Sequence, residues 1–133
     1  MNRIEIINYL IKKNNYKRYL EIGVQNGHCF KQIEAPFKVG VDPDQFSKAT
    51  HHVTSDEFFR DSVLMFDVVF VDGLHIHPQP LLDIKNALKY LSPNGVIIVH
   101  DCNPEQYEHQ VTPRISKYWT GDVWRSWIEL ESR

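Results

Sequence analysis

Tyr19-Leu20-Glu21-Ile22-Gly23-Val24-Gln25-Asn26-Gly27-His28 is the stretch on which the reading of the fold turns. It opens as a short apolar strand, carries a carboxylate at Glu21, and breaks at Gly23, where the missing Cβ permits a turn and close approach of the backbone to a ligand. Gly27 follows four residues later. A strand that runs through such a turn into a helix presents unpaired N–H groups, a ready site for a polar or anionic ligand. A dinucleotide fingerprint, G-x-G-x-x-G, would need glycine where Gln25 and His28 stand. The G-K-[ST] ending of a phosphate-cradling loop is also absent. The pattern left is E-x-G-x-x-x-G, which also describes an ordinary strand-turn-helix corner.

Upstream, Ile4, Ile7, Leu10 and Ile11 fall on one stripe, and Asn2 with Glu5 forms a capping arrangement, so residues 2 to 14 read as an amphipathic helix. Downstream, a helix is expected from about Gly27 to Glu34, then a strand over Phe37 to Asp42 ending in Pro43. Asp42 lies 21 residues after Glu21, at the strand tip where an acid suits the two donors of a ribose diol; it equally starts an Asp-Pro-Asp turn. Gln45 to Thr50 reads as a weak helix and His51 to Thr54 as a short third strand. Ser55 or Asp56 is expected to cap the next helix, and both could face the exocyclic amine of a base.

Phe66-Asp67-Val68-Val69-Phe70-Val71-Asp72 is a nearly continuous apolar run of the kind buried on both faces of a parallel sheet. A crossover helix follows, with Leu81, Leu82, Ile84, Leu88 and Leu91 as its apolar positions and Ser92 to Gly95 as its stop. Val96 to Asp101 is the fifth strand. The expected fold is therefore α/β: a Rossmann-like, doubly wound, mostly parallel sheet of about five strands in the order 3-2-1-4-5, with helices on both faces. Residues 1–133 form one domain. Glu21, Asp42, Asp56, Asp72 and Asp101 should then gather at the carboxyl ends of the strands, where such sheets bind ligands.

Composition limits the function classes. The chain is 42% hydrophobic and 24% charged, ordinary globular values. A net charge of −2 gives no basic field for a nucleic-acid backbone. Cys29 and Cys102 are too few for a disulfide framework and read as reduced thiols. No signal-peptide pattern or long uncharged apolar run stands out, so a cytoplasmic protein without membrane or nucleic-acid partners is expected.

Taken together, Glu21-x-Gly23-x-x-x-Gly27, Asp42, Thr54-Ser55-Asp56, Phe70-Val71-Asp72-Gly73-Leu74-His75 and Leu91-Ser92-Pro93-Asn94-Gly95-Val96-Ile97-Ile98-Val99-His100-Asp101 resemble a class I S-adenosylmethionine-dependent methyltransferase, in particular the methyltransferase 24 family. The resemblance covers roughly residues 15 to 130. It implies that Glu21, Gly23 and Gly27 hold the methionine part of the cofactor, that Asp42 binds the ribose, and that Ser55 and Asp56 border the adenine. Asp72 would lie under the reactive sulfonium. Related cation-dependent enzymes imply a divalent metal, Mg²⁺ or Mn²⁺, on Asp72, Asp101 and Asn103, with Cys102 interrupting the usual adjacent Asp-Asn pair.

Methyl transfer requires an aligned nucleophile and a group to take its proton. His75, after the Gly73 turn, is the first candidate base and His100 the second, with Asp72 beside them. Cys102 to Gly121 reads as a lid and Gly121 to Leu130 as a helix; the family's last two strands are lacking. The exposed sheet edge would then be covered by Trp124 and Trp127 or by a second copy of the chain in a homo-oligomer. Three classes stay open: a methyltransferase acting on a hydroxyl of a small molecule or saccharide, a non-catalytic S-adenosylmethionine-binding protein, and a metal-dependent hydrolase or hydroxylase-like enzyme using Asp72, His75 and Asp101.

Overall fold

A computed structural model describes residues 2–73 and 79–100. Helix α1 (Arg3–Asn14) is followed by β1 (Arg18–Ile22), β2 (Phe37–Val41), α2 (Ser55–Asp61), β3 (Phe66–Val71), α3 (Gln79–Lys89) and β4 (Leu91–Val99). The strands form a parallel sheet in the order β2-β1-β3-β4. The expected third strand is reduced to a single parallel bridge between His51 and Val41, on the outer side of β2. The order 3-2-1-4-5 is thus preserved, with its third member a bridge. The expected end at Asp42 also shortens, because regular pairing of β2 stops at Val41, and β4 ends at Val99.

Strand periodicity sorts side chains onto two faces. Leu20 and Ile22 of β1, Val39 and Val41 of β2, and Val69 and Val71 of β3 pack with Phe59, Ile84 and Ala87 of α2 and α3. Tyr19, Val68 and Phe70 face the other way, against Ile7 and Ile11 of α1. Ile7 is fully buried, which contributes about 2 kcal/mol of hydrophobic stabilisation. Phe66 and Val68, two positions apart, lie on opposite faces because the register with β4 shifts between them: Phe66 faces Leu91, whereas Val68 faces Val96. Ser92 to Gly95, expected to end the helix, is therefore taken up as an irregularity inside β4, with Asn94 at positive φ.

Helix α1 forms as expected. Asn2 Oδ1 accepts the Glu5 N–H at 2.9 Å while Asn2 Nδ2 donates to the Glu5 carboxylate, and Asn15 closes the helix at φ 56°. The helix expected over Gly27 to Glu34 is only one 3₁₀ turn, Phe30–Gln32. Side chains from elsewhere capture the backbone groups that a helix would use. Asn8 of α1 donates to the Gln32 carbonyl and accepts the Glu34 N–H, and Lys38 Nζ donates to the Phe30 carbonyl. Gln45 to Thr50 is likewise a series of turns, because Asp44 Oδ1 accepts the Phe46 N–H and the Gln25 carbonyl accepts the Lys48 N–H. On α3, Leu81, Asp83, Ile84 and Ala87 face inward, while Leu82 and Leu88 stay exposed.

No helix among the described residues is long and apolar enough to cross a membrane. The expected lid, terminal helix and edge cover, including Trp124 and Trp127, lie outside the described residues, as do His75, Asp101 and Asn103.

Candidate functional site

The strand register builds the site. Ile22 pairs with Val41 on one side and Val71 on the other, and Val71 pairs with Val99. One residue further along each strand, the next row reads Asp42, Gly23, Asp72, His100 across the carboxyl edge of the sheet. The ladder continues into that row, with the Gly23 N–H donating to the Val41 carbonyl and the Asp72 N–H to the Ile22 carbonyl, both at 2.8 Å. A glycine between two aspartates is a steric requirement here. Gly23 has φ +90°, and a Cβ added to it would lie 1.9 Å from the Asp72 carbonyl oxygen.

Beyond this row lies a cleft of about 640 Å³, lined among others by Ile22, Gly23, Asp42, Phe46, Ser55, Asp56, Asp72, Gln79 and Asp83. This is an ordinary size for a small-molecule site. Asp42 is buried on its wall, and both its oxygens organise the rim: Gln25 N–H donates to Oδ2 at 2.8 Å and Asp44 N–H to Oδ1 at 3.0 Å. The turn after β1 therefore spends its Gln25 N–H on Asp42, instead of presenting the start of a helix to the ligand as the sequence suggested. Gly27, at φ +79°, is outside the described lining; a Cβ there would press to 2.9 Å on Lys48, so it packs the loop.

Glu21 also stands apart from the described lining. Being one residue inside β1, it points to the α1 face, where it is 1% exposed and accepts the Tyr19 O–H at 2.5 Å. Burial raises its pKa above the usual carboxylate range, against the Tyr19 and Cys29 hydrogen bonds that favour the ionised form. Burial and the neighbouring Glu21 in turn push the Cys29 thiol up to about 11, which leaves it an unreactive buried group.

The other expected residues divide similarly. Ser55 and Asp56 both line the cleft, but the cap of α2 is Thr54: its hydroxyl accepts the Glu57 N–H, and the Glu57 carboxylate accepts the Thr54 N–H. Ser55 is thereby released to donate to Asp83 Oδ1 at 2.5 Å. Asp72 lines the cleft, and its Oδ1 lies 3.0 Å from His100 Nδ1. His100 is half-buried, with its ring edge-on to Phe70, and reaches the cleft through Asp72.

Asp83 and Gln79 were not singled out from the sequence. Gln79 Nε2 donates to Asp83 Oδ1 at 2.9 Å, and burial followed by the charge of Asp56 pushes the Asp83 carboxyl up to about 6, against the Ser55 and Gln79 bonds that lower it. The signal available was a carboxylate four residues before Ala87 and beside Ile84, inside the apolar stripe of a crossover helix.

Among the described residues, no group of three or more His, Cys, Asp or Glu side chains could hold a metal. The expected donor set reduces there to Asp72, whose carboxylate already engages His100.

The model of a family described as "Methyltransferase domain", methyltransferase 24, matches residues 20–102. No curated protein matches the chain. Among solved structures, it resembles the O-methyltransferase from Bacillus cereus in complex with SAH, at 15% identity and TM-score 0.69, over 98% of this chain and 69% of that one. It resembles the SAH-bound methyltransferase PaMTH1 of Podospora anserina at 16% identity and TM-score 0.71, over 98% and 69% of the two chains. It also resembles the O-methyltransferase TomG of Streptomyces achromogenes in complex with SAM at 17% identity and TM-score 0.62, over 98% and 68%. At such identities the likeness is one of fold.

Proposed function

The chain belongs to the methyltransferase 24 family, whose model matches residues 20–102 of its 133, and on that premise we propose that the cleft binds S-adenosylmethionine and that the methyl group passes to a hydroxyl oxygen of a small molecule or saccharide. The observation that carries this reading is the row Asp42, Gly23, Asp72 on one wall of one cleft. A carboxylate offers about four acceptor sites. Asp42 uses two of them to tie down the rim, which leaves acceptors for the two hydroxyls of a ribose. Asp44, Asp56 and Asp72 also line the cleft, so its charge suits a cationic sulfonium and opposes the pyrophosphate of a nicotinamide dinucleotide. Solved O-methyltransferases of similar fold that hold SAH or SAM support both the cofactor and oxygen as the acceptor atom.

When bound, S-adenosylmethionine supplies an electrophilic methyl group on a positively charged sulfur. The chain's own task is to align an acceptor with it and to take a proton. Alignment alone lowers a bimolecular barrier by several kcal/mol, on the order of 7 or more in well-oriented cases. The Asp72–His100 pair sits in the row beside Gly23, and an imidazole oriented by a carboxylate at Nδ1 can receive the proton of an acceptor hydroxyl. His75, two positions after Gly73 and the first candidate read from the sequence, lies outside the described residues. Glu21, sealed beneath the sheet, supports the strand from which the turn springs. No step is assigned to a metal ion.

Calorimetric titration with S-adenosylmethionine, S-adenosylhomocysteine and NAD tests the cofactor, and release of S-adenosylhomocysteine in the presence of hydroxylated acceptors tests the transfer. The two sulfur nucleosides should bind and NAD should not. Binding of NAD with no response to S-adenosylhomocysteine would overturn the reading, whereas binding without transfer to any acceptor would leave a cofactor-binding protein.

A further inference from the structure

The inner wall of the cleft, where the start of α2 meets the start of α3, is organised by Asp83. This residue is 1% exposed and lines the cleft beside Gly73, whose added Cβ would stand 3.4 Å from Asp83 Oδ2. Oδ1 takes two donors, the Ser55 O–H at 2.5 Å and the Gln79 Nε2–H at 2.9 Å, while the buried Oδ2 has no hydrogen-bond partner among the described residues. A buried carboxyl with an unpartnered oxygen costs stability, so its retention on a ligand-sized cleft points to use.

What Asp83 does to its neighbours decides that use. The Gln79 amide nitrogen lies 2.9 Å from Asp83 Oδ1, 3.2 Å from Ser55 Oγ and 3.3 Å from Asp56 Oδ1. Ringed by three oxygens, that position accepts only the NH₂ end of the amide, which turns the Gln79 carbonyl oxygen to the opposite side. The Ser55 hydroxyl has spent its proton on Asp83, so only its lone pairs remain. With the Asp56 carboxylate beside them, these groups make a wall of acceptors.

We propose that Asp83 is a positioning residue that fixes this acceptor character, so that the wall selects a ligand whose base carries an exocyclic amine over one with a carbonyl at the same place. The proposal rests on the reading of the cleft as an S-adenosylmethionine site. The groups facing Asp83 are Ser55 and Asp56 from α2 and Gln79 on its own helix. With its pKa pushed up to about 6, chiefly by burial, Asp83 is ionised at neutral pH and becomes neutral in weak acid. A neutral carboxyl holds the Ser55 and Gln79 donors less tightly than a charged one, so the selection fades as the pH falls through that value.

The test compares binding of S-adenosylhomocysteine with its 6-oxo analogue, S-inosylhomocysteine, by calorimetry from pH 5 to 8 in the wild type, Asp83→Ala and Asp83→Asn. At pH 7.5 the wild type should prefer the amine at least about tenfold, as expected where buried polar groups would otherwise be left unpaired. The preference should shrink toward pH 5. Asp83→Ala should reduce it to about threefold or less at every pH. The isosteric Asp83→Asn, neutral at every pH, should show the weakened preference of the wild type at pH 5 across the whole range, and this variant keeps the test valid if Asp83→Ala fails to fold. An unchanged preference in Asp83→Ala, or an unchanged pH profile in Asp83→Asn, would overturn the role of Asp83 while leaving the cofactor site standing. A wild type that binds neither nucleoside would overturn both.

Discussion

Glu21 and Asp42 are buried carboxylates on adjacent parallel strands, 1% and 7% exposed, and they belong to opposite sides of the sheet. Glu21 is paired in register with Gly40, inside the ladder, and accepts the Tyr19 hydroxyl on the α1 face. Asp42 comes one residue after β2 ends, beyond the alternation, and its carboxylate reaches the cleft and both neighbouring loops. A displacement of two register positions, from inside the ladder to just past its last pair, thus separates a carboxylate that supports the scaffold from one that meets a ligand. The carboxyl ends of parallel strands collect function because the residue just past the last hydrogen-bonded pair escapes the two-residue period. Asp72 repeats the rule after β3.

The sharpest way to break this arrangement is at the glycine between the two aspartates. Gly23→Ala places a Cβ 1.9 Å from the Asp72 carbonyl oxygen at φ +90°, so either the turn or the Asp72–Gly73 backbone must move. We expect a loss on the order of 3–4 kcal/mol in denaturant melts, among the larger effects of a single substitution, together with loss of ligand binding. A loss below about 1 kcal/mol would mean that the row is not tightly set.

Asp83 gives the next largest effect, and its sign is opposite. Its carboxyl moves from 3.8 to about 6 on folding, so the folded state holds the proton more tightly than the unfolded chain. That contribution is complete below about pH 4 and is lost as the pH rises through 6, above which the buried charge opposes folding. Asp83→Asn stays neutral. It should therefore be more stable than the wild type by about 2–3 kcal/mol at pH 8, with the gap closing toward pH 4, as read from thermal melts across that range. Equal gains at both pH values would place the cause in packing instead of charge.

Much of the architecture was legible because apolar runs report buried strands directly: Leu20 and Ile22, Val39 and Val41, and Val68 to Val71 all enter the core. The cap of α1 was legible because Asn2 and Glu5 interact within one turn. Features set by distant partners were not. The helix expected after Gly27 gives way to Asn8, 24 positions from its Gln32 partner, and Ser55 turns to Asp83, 28 positions away. The acids at the strand ends were visible as a set, but the face each one takes depends on where hydrogen-bonded pairing stops. Glu21 fell on the far side for that reason, and Asp83 was hidden within an apolar helical stripe.

The comparison of the two strand acids also predicts how ligand binding divides. Asp42→Asn exchanges an acceptor for a donor beside the Gln25 or Asp44 N–H, so it weakens both the rim and any diol contact. A loss of at least about tenfold in affinity is expected, which corresponds to about 1.4 kcal/mol. Glu21→Gln keeps the shape beneath the sheet and should change affinity by about threefold or less, since its carboxyl meets Tyr19 instead of the cleft.

Dissociation constants for S-adenosylhomocysteine, measured side by side for the wild type, Asp42→Asn and Glu21→Gln, put the account at greatest risk. It predicts clear binding by the wild type, near-equal binding by Glu21→Gln, and a drop of tenfold or more only in Asp42→Asn. No binding by the wild type, or a larger loss in Glu21→Gln than in Asp42→Asn, would contradict it.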